Sequence, residues 1–302
     1  MDHKRIYLDS NATTRLDERV LESMMPFLTD SYANPASHSH LSGRSSARAI
    51  ESARRSIADN LGADPEEIYF TSGATEAINI ALRGIAGSNQ DRDGHIITWA
   101  SEHSAVLETI EHLRASGFRI SVLPVRRDGV PDTSGLAEEI SDHTIFIACM
   151  AANNETGVIS PLAEISHIAA EHGIPLFSDC TQAVGKVPFR FRDNGVHIAS
   201  FSAHKFFGPK GIGGLYVSRR SPRISLEPIL FGGGHEKGLR PGTLNVPGII
   251  GMARALEIAE GSMWEEMSRI SGLRTRIEQG IESCGEVHIN GSVKDRLPNT
   301  TN

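Results

Sequence analysis

Hydrophobic and polar positions along this chain follow two alternating rhythms. Short β-branched or apolar runs at Ile68–Thr71, 96–100, 120–125, 144–150, 175–178, 196–202 and 214–217 are bounded by Gly, Asp, Asn or Pro and read as strands. Between them, apolar residues recur at helical spacing. Ala77, Ile78, Ala81, Leu82 and Ile85 share one face, as do Val106, Leu107, Ile110 and Leu113, and again Leu162, Ile165, Ile168 and Ala169. Several of the strand runs are continuously apolar, the mark of parallel strands covered on both faces. The pattern predicts an α/β fold, a mainly parallel seven-stranded sheet wrapped by helices.

The rhythm changes after the last strand. Pro222, Pro228 and Gly232 to Gly234 make 218–242 a long loop, followed by two expected helices at 247–260 and 263–283 and a short strand at 287–290. One helix and one strand close no layer, so this part reads as an incomplete small α+β domain. The expected division is an N-terminal segment, 1–15, near the site, a large domain, 16–260, and the small one, 261–302.

Composition narrows the function classes. With 39% hydrophobic and 22% charged residues in 302, the chain has the profile of a soluble globular protein. Its net charge of −7 offers no sequence-wide basic surface for nucleic acid. The longest apolar run, 145–152, falls far short of the roughly 18 residues that span a bilayer. The N-terminal stretch MDHKRIYLDSN is charged and has no signal-peptide core. Cys149, Cys180 and Cys284, odd in number and far apart, form no disulfide framework. A cytoplasmic enzyme is the expectation.

Ligands in α/β sheets bind beyond the carboxyl ends of the strands, and polar residues gather there. Lys205, with Ser202 and His204, ends the strand at 196–202 just before a glycine-rich turn; its amine is placed to form a Schiff base with a carbonyl cofactor. Ser72, Gly73, Ala74 and Thr75 link the first strand to a helix, an arrangement suited to a phosphate, although Thr75 could also be an ordinary N-cap. Asp179, followed by Gln182, stands at the end of the fifth strand, where a buried carboxylate needs a partner such as a protonated ring nitrogen or a helix start. His103 could stack on a planar ring and move protons, or cap a helix. Asn153 to Gly157 could orient polar ligand atoms or simply form a turn. Together these supply a phosphate cradle, a ring-nitrogen acid, a stacking group and an amine, the parts that hold pyridoxal 5′-phosphate. His38 and His40 are a weak metal signal, and no metal is expected.

Eight segments carry a resemblance. They are YLDSNATT, NPASHSHLSGR, ADPEEIYFTSGATEA, SEHSAVL, NNETGV, DCTQAVGK, SFSAHKFFGPKGIGGLYV and GGGHEKGLRPGTLNVPGIIGMA. In this order they resemble the cysteine desulfurases among class V, fold type I, pyridoxal-phosphate enzymes, closest to the iron–sulfur-assembly group. The resemblance implies that Lys205 carries the cofactor and that Asp179 pairs with its ring nitrogen. Gln182 and Asn154 would contact its phenolic oxygen or the substrate side. His103 would stack on the ring and assist proton transfer, so Lys205 and His103 are the catalytic pair. Ala74, Thr75, Ser202 and His204 would hold the phosphate, Thr243 would reach the partner subunit's phosphate site in a homodimer, and Ala12 and Thr13 would approach substrate. The implied reaction converts L-cysteine to L-alanine and hands sulfur, as a persulfide, to an acceptor protein such as an iron–sulfur scaffold.

That chemistry needs a nucleophilic cysteine on a mobile loop, expected beyond this chain's last residue. Cys149, Cys180 and Cys284 read instead as structural. Two alternatives stand beside a desulfurase: a noncatalytic cofactor-binding partner that dimerises, or an aminotransferase or lyase that needs Lys205 but no thiol.

Overall fold

The computed structural model describes residues 6–89 and 93–302. Residues 1–5 of the expected N-terminal segment lie outside the described residues. The chain begins with helices α1 (Glu18–Thr29) and α2 (Leu41–Leu61). His40, one of the two histidines weighed as metal ligands, caps α2 by accepting the Gly43 N–H at 3.0 Å. A 3-10 turn, Pro65–Glu67, leads into β1 (Ile68–Thr71) and α3 (Ala74–Ser88). Then follow β2 (His95–Trp99), α4 (Ser104–Ala115), β3 (Arg119–Leu123), the short α5 (Leu136–Glu139), β4 (Thr144–Ala148), α6 (Leu162–Glu171) and β5 (Leu176–Asp179). The last part comprises β6 (Ile198–Ser202), a 3-10 turn (Ala203–Lys205), β7 (Gly213–Val217) and α7 (Val246–Glu282).

The strands form a seven-stranded sheet in the order β1-β7-β6-β5-β4-β2-β3. Only β7 runs against its neighbours. Alternating strand residues feed two apolar layers. Ile97, Trp99, Ile147, Leu176, Phe201 and Tyr216 face one core, while Ile96, Phe146, Phe177, Ile198 and Leu215 face the other with α3 and α4. Both faces are therefore apolar, which is why the strands read as unbroken runs. Gly214 pairs with Phe201 across β6 and β7, and a Cβ at that position would lie 2.1 Å from Cζ of the Phe201 ring. The missing side chain lets the ring lie over the strand.

Two expectations about the C-terminal part change. The helices expected at 247–260 and 263–283 are one continuous helix, α7. Gly261 sits in open space within it, and an exposed glycine costs a helix only about 1 kcal/mol. No strand forms at 287–290. Asn290 instead bonds Asn302 through backbone, at 2.9 Å, and side chain, at 2.8 Å. Among the described residues no helix is long and apolar enough to cross a membrane.

Candidate active site

Five loops leave the carboxyl ends of β1, β2, β4, β5 and β6 and meet around a cavity of about 500 Å³. That volume is in the range of small-molecule sites. Ala74, Thr75, His103, Asn154, Asp179, Gln182, Ser202, His204, Lys205 and Thr13 all line it. The sequence therefore located the cavity from residues up to 192 positions apart, Thr13 and Lys205. Ala12 contributes only its carbonyl, which accepts from Lys205 Nζ at 3.0 Å. Thr243 is exposed on the loop before α7 and is not among the lining residues.

At one end of the cavity, Gly73 is the N-cap of α3, so Thr75 lies inside the first turn and is not the cap. The free N–H groups of a 15-residue helix, the hydroxyls of Thr75 and Ser202, and the His204 ring converge there. Gly213 makes the close packing possible: a Cβ on it would stand 2.7 Å from Gly73 Cα. Glu76 also lines this end, but its carboxylate is engaged by the Ser72 N–H and by Arg240. The His204 Nδ1 lies 3.1 Å from Thr13 Oγ1. Burial and the neighbouring lysines Lys205, Lys210 and Lys186 push the His204 ring down to about 4, leaving it neutral near pH 7.

At the other end Asp179 is buried at the tip of β5. Its Oδ1 accepts from the Thr181 N–H at 3.0 Å, Thr181 Oγ1 at 2.5 Å and Ser200 Oγ at 3.1 Å. Among the described residues nothing bonds Oδ2, so a carboxylate oriented on one oxygen presents the other for a cation. His103 takes the capping alternative and also lies at the cavity. Its Nδ1 accepts the Ala105 N–H at 3.1 Å, capping α4, while the ring borders the cavity. With Nδ1 accepting, the neutral ring carries its proton on Nε2.

Lys205 projects from the 3-10 turn after β6. Burial lowers its amine from the ordinary lysine value, against the opposing charges of Asp179, Asp9 and Glu155. Its Nζ donates to the carbonyls of Asn11, at 2.5 Å, and Ala12.

Three functional-looking residues escaped the sequence reading. Asn11 is a junction: its Nδ2 donates to the Asn154 carbonyl at 3.2 Å and to Thr300 Oγ1 at 2.9 Å, and its Oδ1 accepts from Asn299 at 2.8 Å. Lys186 is directed into the same junction from the loop after β5. A lysine in the small-residue run TQAVGKVPF was the available signal. Glu102, adjacent to His103, is buried, with Oε1 on the Met150 N–H at 2.5 Å and Oε2 without a partner among the described residues. Burial, with the charge of Asp179 adding, raises it to about 8.

The thiols lie elsewhere. Cys149 and Cys180 are buried, and burial pushes both well above the ordinary thiol value. Cys284 is exposed just past α7, donating to the Gly280 carbonyl at 3.2 Å. None lines the cavity. Among the described residues no three His, Cys, Asp or Glu side chains gather as a metal site.

The residues fit pyridoxal 5′-phosphate on three structural grounds. The cavity has the volume for it, a helix N-terminus with two hydroxyls suits its phosphate, and the unbonded Oδ2 of buried Asp179 suits a protonated ring nitrogen.

Comparison with known proteins matches residues 6–302 to the family model described as aminotransferase class-V. The chain is 46% identical over 299 residues to the cysteine desulfurase IscS of Salmonella paratyphi B, spanning 98% of this chain and 74% of the relative. Among solved structures, a NifS-like protein superposes with a TM-score of 0.94 at 41% identity, over 98% of this chain and 80% of that one. SspA in complex with cysteine superposes at 0.80 and 40% identity, over 84% of this chain and 72% of its own.

Proposed function

The chain belongs to the aminotransferase class-V family and, within it, to the pyridoxal-phosphate-dependent cysteine desulfurases, and from that premise we propose that its cavity holds the cofactor on Lys205 and takes L-cysteine. The family reaction converts L-cysteine to L-alanine and passes the sulfur on as a persulfide. The observation that supports the residue assignments is the convergence of the α3 N-terminus, Asp179 and Lys205 on one cavity. A neighbour whose structure contains bound cysteine supports the substrate.

Pyridoxal 5′-phosphate, when bound, supplies an aldehyde that condenses with amines and a protonated ring that withdraws electrons from the carbon beside the amine. The chain's groups would serve it as follows. The N–H groups of Ala74 and Thr75, with the Thr75 and Ser202 hydroxyls and the neutral His204, bind the phosphate. Asp179, held by Thr181 and Ser200, keeps the ring nitrogen protonated through Oδ2. Lys205, lowered by burial, is the amine nucleophile and afterwards a base. His103, fixed through Nδ1, stacks on the ring and moves a proton at Nε2. Gln182 and Asn154 would contact the phenolic oxygen or the substrate side, and Ala12 and Thr13 would approach substrate.

Sulfur abstraction needs an exposed, activated thiolate. Cys149 and Cys180 are buried and raised, and Cys284 lies outside the cavity. On this reading the cavity takes cofactor and substrate, while sulfide release draws on a thiol that Cys149, Cys180 and Cys284 do not supply.

In the homodimer we propose, the exposed Thr243 reaches the partner's phosphate site. We place the enzyme in the cytoplasm, with an iron–sulfur scaffold protein as the sulfur acceptor. We divide the chain at 15 and 260, although α7 runs through the second boundary without a break.

The test uses the purified chain with added pyridoxal phosphate. A visible absorbance that borohydride abolishes, altered by L-cysteine without sulfide release, is the expected result. A colourless protein overturns the cofactor assignment, and rapid sulfide formation overturns the assignment of the three thiols.

A further inference from the structure

Lys186 has no part in the chemistry above, yet it is a half-buried amine beside Lys205 with a defined set of partners. Its Nζ donates to Gln182 Oε1 and lies 3.5 Å from Asn11 Oδ1. Gln182 turns its other amide atom the opposite way: Nε2 donates to the Asn11 carbonyl at 3.0 Å, the same oxygen that accepts from Lys205 Nζ at 2.5 Å. The carboxamide therefore spans the two lysines, with oxygen toward Lys186 and nitrogen toward Lys205.

We propose that Lys186 is a positioning residue that locks the Gln182 carboxamide in one of its two flip states, so that an N–H donor rather than an oxygen faces the Lys205 side of the cavity. The flipped amide is opposed at both ends. Its oxygen would face the Asn11 carbonyl, an acceptor against an acceptor, and its NH₂ would face Lys186, which is donor-only while protonated. Gln182 is nearly fully buried, so either mismatch leaves a desolvated polar group unpaired.

Nε2 has a second hydrogen with no protein acceptor among the described residues. A donor there suits an anionic oxygen on a ring held by Lys205, whereas the flipped amide would repel it. Burial, with the charge of Lys205 adding, lowers the Lys186 amine to about 7, and it donates in either protonation state. This inference rests on the pyridoxal-phosphate reading of the cavity.

The experiment compares the full chain with K186M, Q182A and the double variant. Pyridoxal phosphate is titrated by its visible absorbance, and urea midpoints are measured without added cofactor. K186M is expected to weaken cofactor binding about tenfold and to displace the absorbance band in the same direction as Q182A. The double variant should be no weaker than Q182A alone. An unchanged affinity and band in K186M, or losses that multiply in the double variant, overturn the proposal. Should K186M fail to fold, K186Q, which keeps an N–H donor, replaces it; affinity and band between wild type and Q182A support the lock, and a loss equal to or beyond that of Q182A overturns it. If the unmodified chain takes up no pyridoxal phosphate, the cofactor reading fails separately. The urea midpoints then decide the contact: sub-additive losses retain it and additive losses overturn it.

Discussion

Glu102 makes a quantitative prediction about stability and pH. Its carboxyl group is buried between the ends of β2 and β4, with one hydrogen bond to the Met150 N–H and no cation within its interactions. Burial raises it from 4.5 to about 8, with the charge of Asp179 adding to the shift. The folded protein therefore holds a proton there that the unfolded chain has already released. Between the two values the unfolded state binds fewer protons, so stability falls as pH rises, by about 1.4 kcal/mol per pH unit. The group's stabilising contribution is complete below the unfolded value and is lost through the folded one. Glu102→Gln removes the titration while keeping shape and the acceptor for Met150. The difference in unfolding free energy, variant minus wild type, should thus be constant below about pH 4.5 and then grow, reaching about 4 kcal/mol by about pH 7.5. Urea unfolding of both proteins at half-unit steps from about pH 4 to pH 8 measures it, and taking the difference cancels the other titrating groups. A difference that stays flat across the range would mean that Glu102 ionises in the folded state, and the argument from its burial would be refuted.

Three further predictions test other links. Asp179→Asn leaves the phosphate contacts intact, so pyridoxal phosphate should still bind, while exchange of the Cα hydrogen of L-alanine with deuterium, read by NMR, falls about a hundredfold; undiminished exchange would remove Asp179 from the chemistry. Gly214→Ala puts a methyl group 2.1 Å from the Phe201 ring, and the urea midpoint should drop by an amount equivalent to about 2 kcal/mol; an unchanged midpoint would show that the ring can move aside. Of the three thiols, a chromogenic disulfide should titrate one in the native protein, Cys284, and all three after denaturation; fast native reaction at Cys149 or Cys180 would contradict their burial.

The legibility of this protein is uneven for identifiable reasons. Strand ends were readable because an unbroken apolar run must stop where polar side chains begin, as at Asp179 and Ser202. Once the sheet was taken as parallel, the chemistry had to collect at one edge. That Ser72 to Thr75 lead from a strand into a helix N-terminus was legible, but which residue caps the helix was not, since Gly73 takes that position through backbone geometry alone. The break expected near Gly261 does not occur because packing of the rest of α7 against α1 and α2 outweighs one exposed glycine. The strand at 287–290 is absent because Asn290 finds its partner at Asn302 rather than on a neighbouring strand.

By itself the sequence determined the alternation of strands and helices, the edge of the sheet where the cavity opens, and the lysine, aspartate and hydroxyls that line it. These depend on local periodicity and on what a single residue costs where a buried strand ends. Only the tertiary structure decided that Asn11 ties four separate segments together, that Lys186 and Lys205 flank one carboxamide, and that Glu102 keeps its proton. Each of these depends on which distant carbonyl or charge comes within a few ångströms, and on how much water remains there. No run of neighbouring residues encodes either quantity.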